Sequence, residues 1–337
     1  MKLRIIQVGF GSWGRSWYQE ILRYYKGTKV IAFVDSNKNA LAKARVEGGF
    51  KQRQCFTSLG DALKAVDADA LLVTASLGGH ASACKAGLAA GLHVLVEKPF
   101  VLTDKEARSL TVDAKQHKRV LMVSQNYRFQ PSVRAVQKLV RDQRLGRVGS
   151  VSIDFRRYAN GRALTHGHYH LAEPLLRDMA IHQMDLVRAV LGREPEEVLC
   201  WSHHPRWSRF VDAPSASALM QFAGGVHVNY RGSWIAHEAQ TPWAGLWTIE
   251  CEGGAIVWSS RGGDADEWVE VHRTGDACEP VKLPRLRYVD RTGALDHFVQ
   301  CVKHHVEPET SARDNTNTIR LVNALISSAK NRRPVRI

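Results

Sequence analysis

Leu3-Arg4-Ile5-Ile6-Gln7-Val8 runs without a break into Gly9-Phe10-Gly11-Ser12-Trp13-Gly14, and the reading of this stretch decides the fold. The first six residues favour a β-strand. A helix-compatible segment follows the glycines as far as about Tyr25, where Gly27 breaks it. A second apolar strand, 29–34, ends on Asp35. In a Gly-x-Gly-x-x-Gly turn the first glycine permits a tight bend, the second lets the backbone approach a pyrophosphate, and the third lets helix and strand pack closely. Free amides and the positive end of the helix dipole then face the phosphates. Asp35 lies 21 residues beyond Gly14, the spacing at which a carboxylate takes a ribose 2′-hydroxyl. Alone, the three glycines are as well read as a flexible turn. Between a strand and a helix, with an acid closing the next strand, they predict a dinucleotide site. A carboxylate at position 35 repels a 2′-phosphate, so NAD is the expected cofactor. Lys38, Arg45 and Arg53 are near enough in sequence to leave NADP open.

Working outward, the alternation continues. A helix is predicted over 58–66 and a strand over Ala70-Leu71-Leu72-Val73-Thr74-Ala75. Gly78-Gly79-His80 then leads a helix of small residues to Gly91. The strand His93-Val94-Leu95-Val96 ends in Glu97-Lys98-Pro99, and Thr103-Asp104-Lys105-Glu106 is a capping box that opens the next helix. A strand over 119–123 completes this half. Near-continuous apolar strands alternating with helices predict a parallel sheet covered on both faces. After about Gln125 the rhythm changes. Helices are expected over 132–143 and 174–191, with a strand at 148–157. Strand-like runs follow at 196–202, 216–222, 226–234, 246–258 and 267–272, and helices near 293–305 and 312–330 close the chain. The fold class is therefore α/β. A Rossmann domain over 1–124 precedes an α+β domain over 125–337, built on a large, mainly antiparallel open sheet.

Hydrophobic residues at 44% and charged residues at 24% give an ordinary globular balance. No apolar run approaches the ~20 residues of a membrane span. The first residues are charged and pass directly into a strand, without a signal core, which predicts a cytoplasmic protein. The six cysteines are scattered and form no CxxC pair, which argues against a disulfide framework and against a zinc site. The formal net charge is +14. Its Lys and Arg are spread along the chain, with no helix-turn-helix, zinc-finger or RNP pattern, so no nucleic-acid partner is expected and a solvated basic surface is the plain reading.

Two further segments can carry chemistry. Lys98 stands at the carboxyl end of a strand, where ligands of open α/β sheets bind, and an ammonium there can stabilise charge on a substrate oxygen. Its plain alternative is a solvated loop lysine. In Leu176-Arg177-Asp178-Met179-Ala180-Ile181-His182-Gln183-Met184-Asp185, Asp178 and His182 are four apart and share a face if the segment is α-helical. A histidine oriented by a carboxylate is a general acid–base unit; the alternative is an ordinary surface pair. His166, His168 and His170 form an HxHxH run whose metal reading is weak, and no metal is expected.

Together these pieces resemble the glucose–fructose oxidoreductase / inositol dehydrogenase (Gfo/Idh/MocA) family over nearly the whole chain. The resemblance rests on GFGSWG, the strand ending in Asp35, Thr74-Ala75-Ser76-Leu77-Gly78-Gly79-His80 and Gly91-Leu92-His93-Val94-Leu95-Val96-Glu97-Lys98-Pro99-Phe100. It extends through Asn126-Tyr127-Arg128-Phe129-x-Pro131, the Asp178–His182 segment and Arg333-Pro334-Val335-Arg336-Ile337. It implies an oxidoreductase in which Lys98, Asp178 and His182 are catalytic. The cofactor would be held by Gly9, Gly11, Ser12, Trp13, Gly14, Asp35, Ser36, Thr74, Ala75, His80, Glu97 and Lys98. The substrate would meet Lys98, Asn126, Arg128, Arg156, His166, His168, Asp178 and His182. The family usually has glycine between the aspartate and the histidine; Met179-Ala180-Ile181 stands here, and the histidine-rich approach is also unusual. A homo-oligomer, dimer or tetramer, is implied through the open sheet.

The expected reaction is hydride transfer between nicotinamide and a secondary alcohol or ketone of a sugar, cyclitol or derivative. Arg156, Arg157 and Arg162, ahead of the catalytic helix, add an anionic sugar acid to the candidate substrates. Three rivals stand beside this reading: an NAD-binding sensor on the same fold, a keto-sugar-forming enzyme that recycles its NAD within one turnover, and, from the charge, a nucleic-acid binder.

Overall fold

A computed structural model describes residues 2–262 and 267–337. The chain divides into two packed units, 1–126 with 290–319, and 127–289 with 320–337.

In the first unit, β1 (Leu3–Val8), β2 (Thr28–Val34), β3 (Cys55–Phe56), β4 (Ala70–Val73), β5 (His93–Glu97) and β6 (Leu121–Ser124) form a parallel sheet in the order β3-β2-β1-β4-β5-β6. This is the doubly wound order in which the chain reverses direction across β1 and β4, leaving a crevice at their carboxyl ends. The helices are α1 (Ser12–Ser16), α2 (Lys38–Gly48), α3 (Leu59–Ala65), α4 (His80–Ala89) and α5 (Asp104–Gln116). Apolar side chains leave both faces of the strands, as predicted. Ile6, Leu71, Val94 and Val123 pack with Leu88, Phe100 and Leu110, while Phe10, Phe33 and Leu41 form a second cluster. The predicted capping box is present: Thr103 Oγ1 accepts from Glu106 N, and Glu106 accepts from Thr103 N.

In the second unit come α6 (Pro131–Arg141), β7 (Val148–Arg156), α7 (Ala180–Leu191), β8 (Pro195–His203), β9 (Ser215–Phe222) and β10 (Val226–Ser233). They are followed by β11 (Leu246–Cys251), β12 (Gly254–Ser259), β13 (Trp268–His272) and β14 (Glu279–Pro280). Beyond α8 (Asp290–His304) and α9 (Ala312–Asn331), β15 (Val335–Arg336) adds the edge. Among the described residues the sheet order is β14-β13-β12-β11-β7-β10-β9-β8-β15, antiparallel except where β10 runs parallel to β7. Alternating burial along β9 and β10 is the signature of a sheet with one covered face.

Three local expectations change. The run 246–258 is two strands, because the chain turns at Glu252-Gly253 and Gly254, at φ +138°, begins the second. The helix after the glycine turn is α-helical only over Ser12–Ser16 and becomes a π turn over Trp17–Leu22, and residues 174–179 are likewise π-helical ahead of α7. The division of the chain also differs from a single cut at 124/125. Residues 290–319 pack with the first unit because α8 lies against β5 and β6, while Thr310 exchanges backbone and hydroxyl hydrogen bonds with Val123. No helix among the described residues is long and apolar enough to cross a membrane.

Candidate active site

The glycine turn is built by close approach. Gly9 adopts φ +90°, and a Cβ on it would lie 2.4 Å from Ala75 N. A Cβ on Gly14 would lie 2.1 Å from Gly9 O, so only glycine lets the helix sit on the strand end. Gly11 is different. Its backbone, φ −66° and ψ −169°, suits any residue, and a Cβ there would meet no protein atom within 4 Å. Protein packing gives no reason for glycine at position 11; backbone access for a ligand does. The residues present thus fit a dinucleotide whose phosphates lie against this turn.

The surrounding polar groups stiffen it. Thr74 Oγ1 donates to Gly9 O at 2.7 Å, and Gln7 Nε2 donates to Gly14 O at 2.7 Å. Asp35 accepts from Phe10 N at 2.7 Å through one carboxylate oxygen and from Asn37 N at 2.8 Å through the other. The carboxylate is thereby fixed at the end of β2, with lone pairs left for a ribose hydroxyl. Ser12, Trp13 and Ser36 are exposed and Ala75 is half-buried. The Arg291 guanidinium lies 4.6 Å over the Trp13 ring. Gln7, Trp17 and Arg291 lay outside the sequence reading, since each acts through contacts distant in the chain.

Two expected cofactor contacts have other occupations. The His80 ring is buried, with Nδ1 2.9 Å from Pro99 O and Nε2 3.0 Å from Ala75 O, so it ties the turn after β4 to the loop after β5. Glu97 is buried as well. It accepts from Trp17 Nε1 at 2.6 Å and from Lys98 N at 3.1 Å, so its carboxylate serves the loop that carries Lys98. Lys98 itself is half-buried.

In the second unit α7 is buried along nearly its whole length, which removes the surface-pair reading of His182. The His182 ring stacks on Tyr127 with centroids 3.8 Å apart and planes 4° from parallel. The Arg261 guanidinium lies 4.0 Å from the same Tyr127 centroid. Two planar groups that close to one ring must occupy its opposite faces, so Tyr127 is clamped between them. Asp178 lies in the π turn before Met179, whose φ of −112° marks the break before α7. The α-helical phase argument for Asp178 and His182 therefore does not apply. Asp178 Oδ2 lies 3.5 Å from His168 Nε2. His168 in turn packs edge-on against Trp234 and Phe210.

The remaining expected contacts have protein partners. Arg128 is not available to grip a substrate. It is buried and makes a two-pronged ion pair with Asp185, both bonds 2.6 Å. Asn126 is buried and its amide donates to Asp290. Arg156 faces Asp154 at 3.2 Å and Glu238 at 2.8 Å, which neutralise it. Arg157 stacks on Trp243 at 4.2 Å. His166 is exposed and accepts from His168 N at 3.2 Å, which shapes the loop.

Comparison with known proteins now bears on this geometry. An oxidoreductase family with an NAD-binding Rossmann fold matches residues 3–125, and the GFO/IDH/MocA C-terminal domain matches residues 133–257. The chain belongs to the Gfo/Idh/MocA family of NAD-binding oxidoreductases. Among curated relatives, D-apiose dehydrogenase of Paraburkholderia graminis is 24% identical over 98% of this chain and 88% of its own length. Inositol 2-dehydrogenase of Rhizobium meliloti is 27% identical over 84% of this chain and 85% of its own. Among solved structures, aldose-aldose oxidoreductase from Caulobacter crescentus, complexed with glycerol, superposes over all of both chains with a TM-score of 0.88 at 19% identity. That last likeness speaks to the fold.

Proposed function

We propose that this Gfo/Idh/MocA protein is an NAD-dependent dehydrogenase or reductase of a secondary alcohol or ketone in a sugar, cyclitol or related polyol. The observation that carries the reading is His182, a buried imidazole held flat against Tyr127, in a chain whose glycine turn fits a dinucleotide. The names of the apiose and inositol dehydrogenases support the substrate class.

When bound, NAD supplies the hydride acceptor at nicotinamide C4. The chain's own residues manage the proton and the charge. In the oxidation direction His182 takes the proton of the substrate hydroxyl. Lys98, just beyond β5, is suited to donate a hydrogen bond to a substrate oxygen and stabilise negative charge developing on it. Asp178, beside His168, holds the charged imidazole and orients substrate hydroxyls. The clamp of Tyr127 and Arg261 fixes the His182 ring plane, so little reorganisation accompanies proton transfer.

Asp35 sets the cofactor preference. Its carboxylate, oriented by Phe10 N and Asn37 N, favours a ribose 2′-hydroxyl over a 2′-phosphate, so kcat/KM is higher with NAD than with NADP and Asp35→Ser narrows the gap. The ion pairing of Arg156 favours neutral sugars and polyols over sugar acids. Exposed Trp201 and Leu219 on the open side of the second sheet support a homo-oligomer, which sedimentation velocity tests. The cytoplasmic reading is supported by six unpaired thiols. Burial pushes Cys84 and Cys200 up to about 12, and Cys251 and Cys301 up to about 11, leaving them poor nucleophiles.

The test is a panel of pentoses, hexoses, cyclitols and sugar acids with NAD or NADP, followed by absorbance of the reduced nicotinamide. Turnover on a neutral polyol with NAD sustains the reading. Reaction without net NADH, with substrate consumed, replaces it with the recycling enzyme. NAD binding with no turnover across the panel replaces it with a sensor.

A further inference from the structure

The basic stretch after Gln125 finds no use in the hydride chemistry, yet the fold gathers it. In α6, Arg134, Lys138 and Arg141 stand at i, i+4 and i+7 and so share a helical stripe, while Val133 and Val136 are fully buried. Arg144 follows the helix. Together with Lys282 and Arg285 these side chains line one cavity of about 1030 Å³ in the second unit. Ala135, Leu139, Val281 and Leu283 supply an apolar floor. Among the described residues one carboxylate, Asp142, lines it too. Its hydrogen bond with Lys138 holds its carboxyl below the usual carboxylate range, and Arg141 lies 3.4 Å away. Asp142 is thus ionised at neutral pH and already occupied by two of the six cations. Among the described residues no carboxylate pairs with Arg144, Lys282 or Arg285.

Among the described lining residues six cations stand around one carboxylate and repel one another, and a concave surface dominated by one sign concentrates its field on whatever enters. A cleft of this size matches a small molecule rather than a protein surface. Offsetting Arg144, Lys282 and Arg285, which no described carboxylate pairs, together with the other cations of the lining takes a compact ligand with several negative charges. Carboxylates carry one charge each. A di- or triphosphate chain carries three or four, and its oxygens match the paired N–H donors of arginine. We propose that this groove is a second ligand site, separate in its residues from the glycine turn, that takes a small ligand bearing a di- or triphosphate chain. The phosphate chain can come as free polyphosphate or on a nucleotide, with the apolar floor under the nucleotide's ring system.

The experiment is calorimetric titration of the full-length protein, saturated with NAD so that the glycine turn is occupied. The probes are tripolyphosphate, ATP and a single-stranded 20-mer oligonucleotide. Tripolyphosphate is expected to bind at one site. The variant Arg144→Ser/Lys282→Ser/Arg285→Ser, which breaks no ion pair, is expected to keep its Tm and to weaken that binding by about tenfold or more. Equal affinity for tripolyphosphate and ATP identifies the phosphate chain as the whole ligand. Tighter ATP binding, lost in the same variant, identifies a nucleotide. Tripolyphosphate bound equally well by the variant, or not at all by the wild type, overturns the proposal. So does an oligonucleotide that binds far more tightly than tripolyphosphate and loses that affinity in the variant, since the groove would then serve nucleic acid.

Discussion

The glycine turn at 9–14 and the segment 176–185 both announce chemistry in the sequence, and they kept that promise differently. At the turn, Gly14 answers to Gly9 O within the strand-turn-helix path, Gly9 to the end of the neighbouring parallel strand β4, and Gly11 to no protein atom. At 176–185 the expected partners were one helical turn apart, but the segment is not one continuous α-helix and its side chains also meet residues outside it. Asp178 faces His168, His182 stacks on Tyr127, and Asp185 holds Arg128. A motif whose contacts are local can be read from spacing. A motif whose contacts are distant yields its residue types but not their pairing.

The widest separation between the two regions is expected in turnover. His182→Ala and Lys98→Ala each lower kcat by ~10²–10⁴-fold while leaving NAD affinity within about twofold. Near-normal turnover in both variants on the true substrate breaks the assignment. A KM effect alone in His182→Ala moves the histidine from proton transfer to substrate binding.

Next comes the pair inside the second region. Arg128→Met leaves Asp185 charged and buried, and chemical denaturation is expected to register a loss of about 3–5 kcal/mol. Arg128→Met/Asp185→Leu recovers most of it, because an apolar pair needs no compensation. If Arg128→Met instead preserves stability and raises KM, the guanidinium serves the substrate after all.

The two glycines sharpen the first region. Gly14→Ala drives a Cβ into Gly9 O and is expected to cost about 1–3 kcal/mol, or more where the turn cannot shift. Gly11→Ala meets no protein atom, so it should change stability by under ~0.5 kcal/mol while weakening NAD binding by about tenfold. Equal behaviour of the two variants in thermal melts and NAD titrations would erase the distinction between packing and ligand access.

The smallest expected effect is a pH slope at the opposite ends of the strands. Burial, with Arg119 and His305 nearby, lowers His93 from its ordinary 6.5 to about 4. Below pH 6.5 the unfolded chain takes up a proton that the folded chain resists. Stability from this group is therefore complete above pH 6.5 and falls away towards pH 4. His93→Asn, which can still accept from Val120 N, should flatten the denaturation midpoint across that window. An unchanged slope would show that other groups set the acid response.

The sequence by itself determined the doubly wound first sheet, the antiparallel character of the second and the glycine turn with Asp35, and it singled out Lys98 and His182 as candidates. Strand periodicity, turn glycines and capping act within a few residues, so their physics is written locally. Only the tertiary structure decided that 290–319 rejoins the first unit, that His80 and Glu97 turn inward to brace the Lys98 loop, and that Arg128 is spent on Asp185. It also decided that the scattered cations of α6 and 282–285 share one groove. The reason is common to all four. A buried polar group must find a partner, and exposed charges gather wherever the chain happens to bring them. Which residue arrives is set by packing between segments that lie tens of residues apart in the sequence.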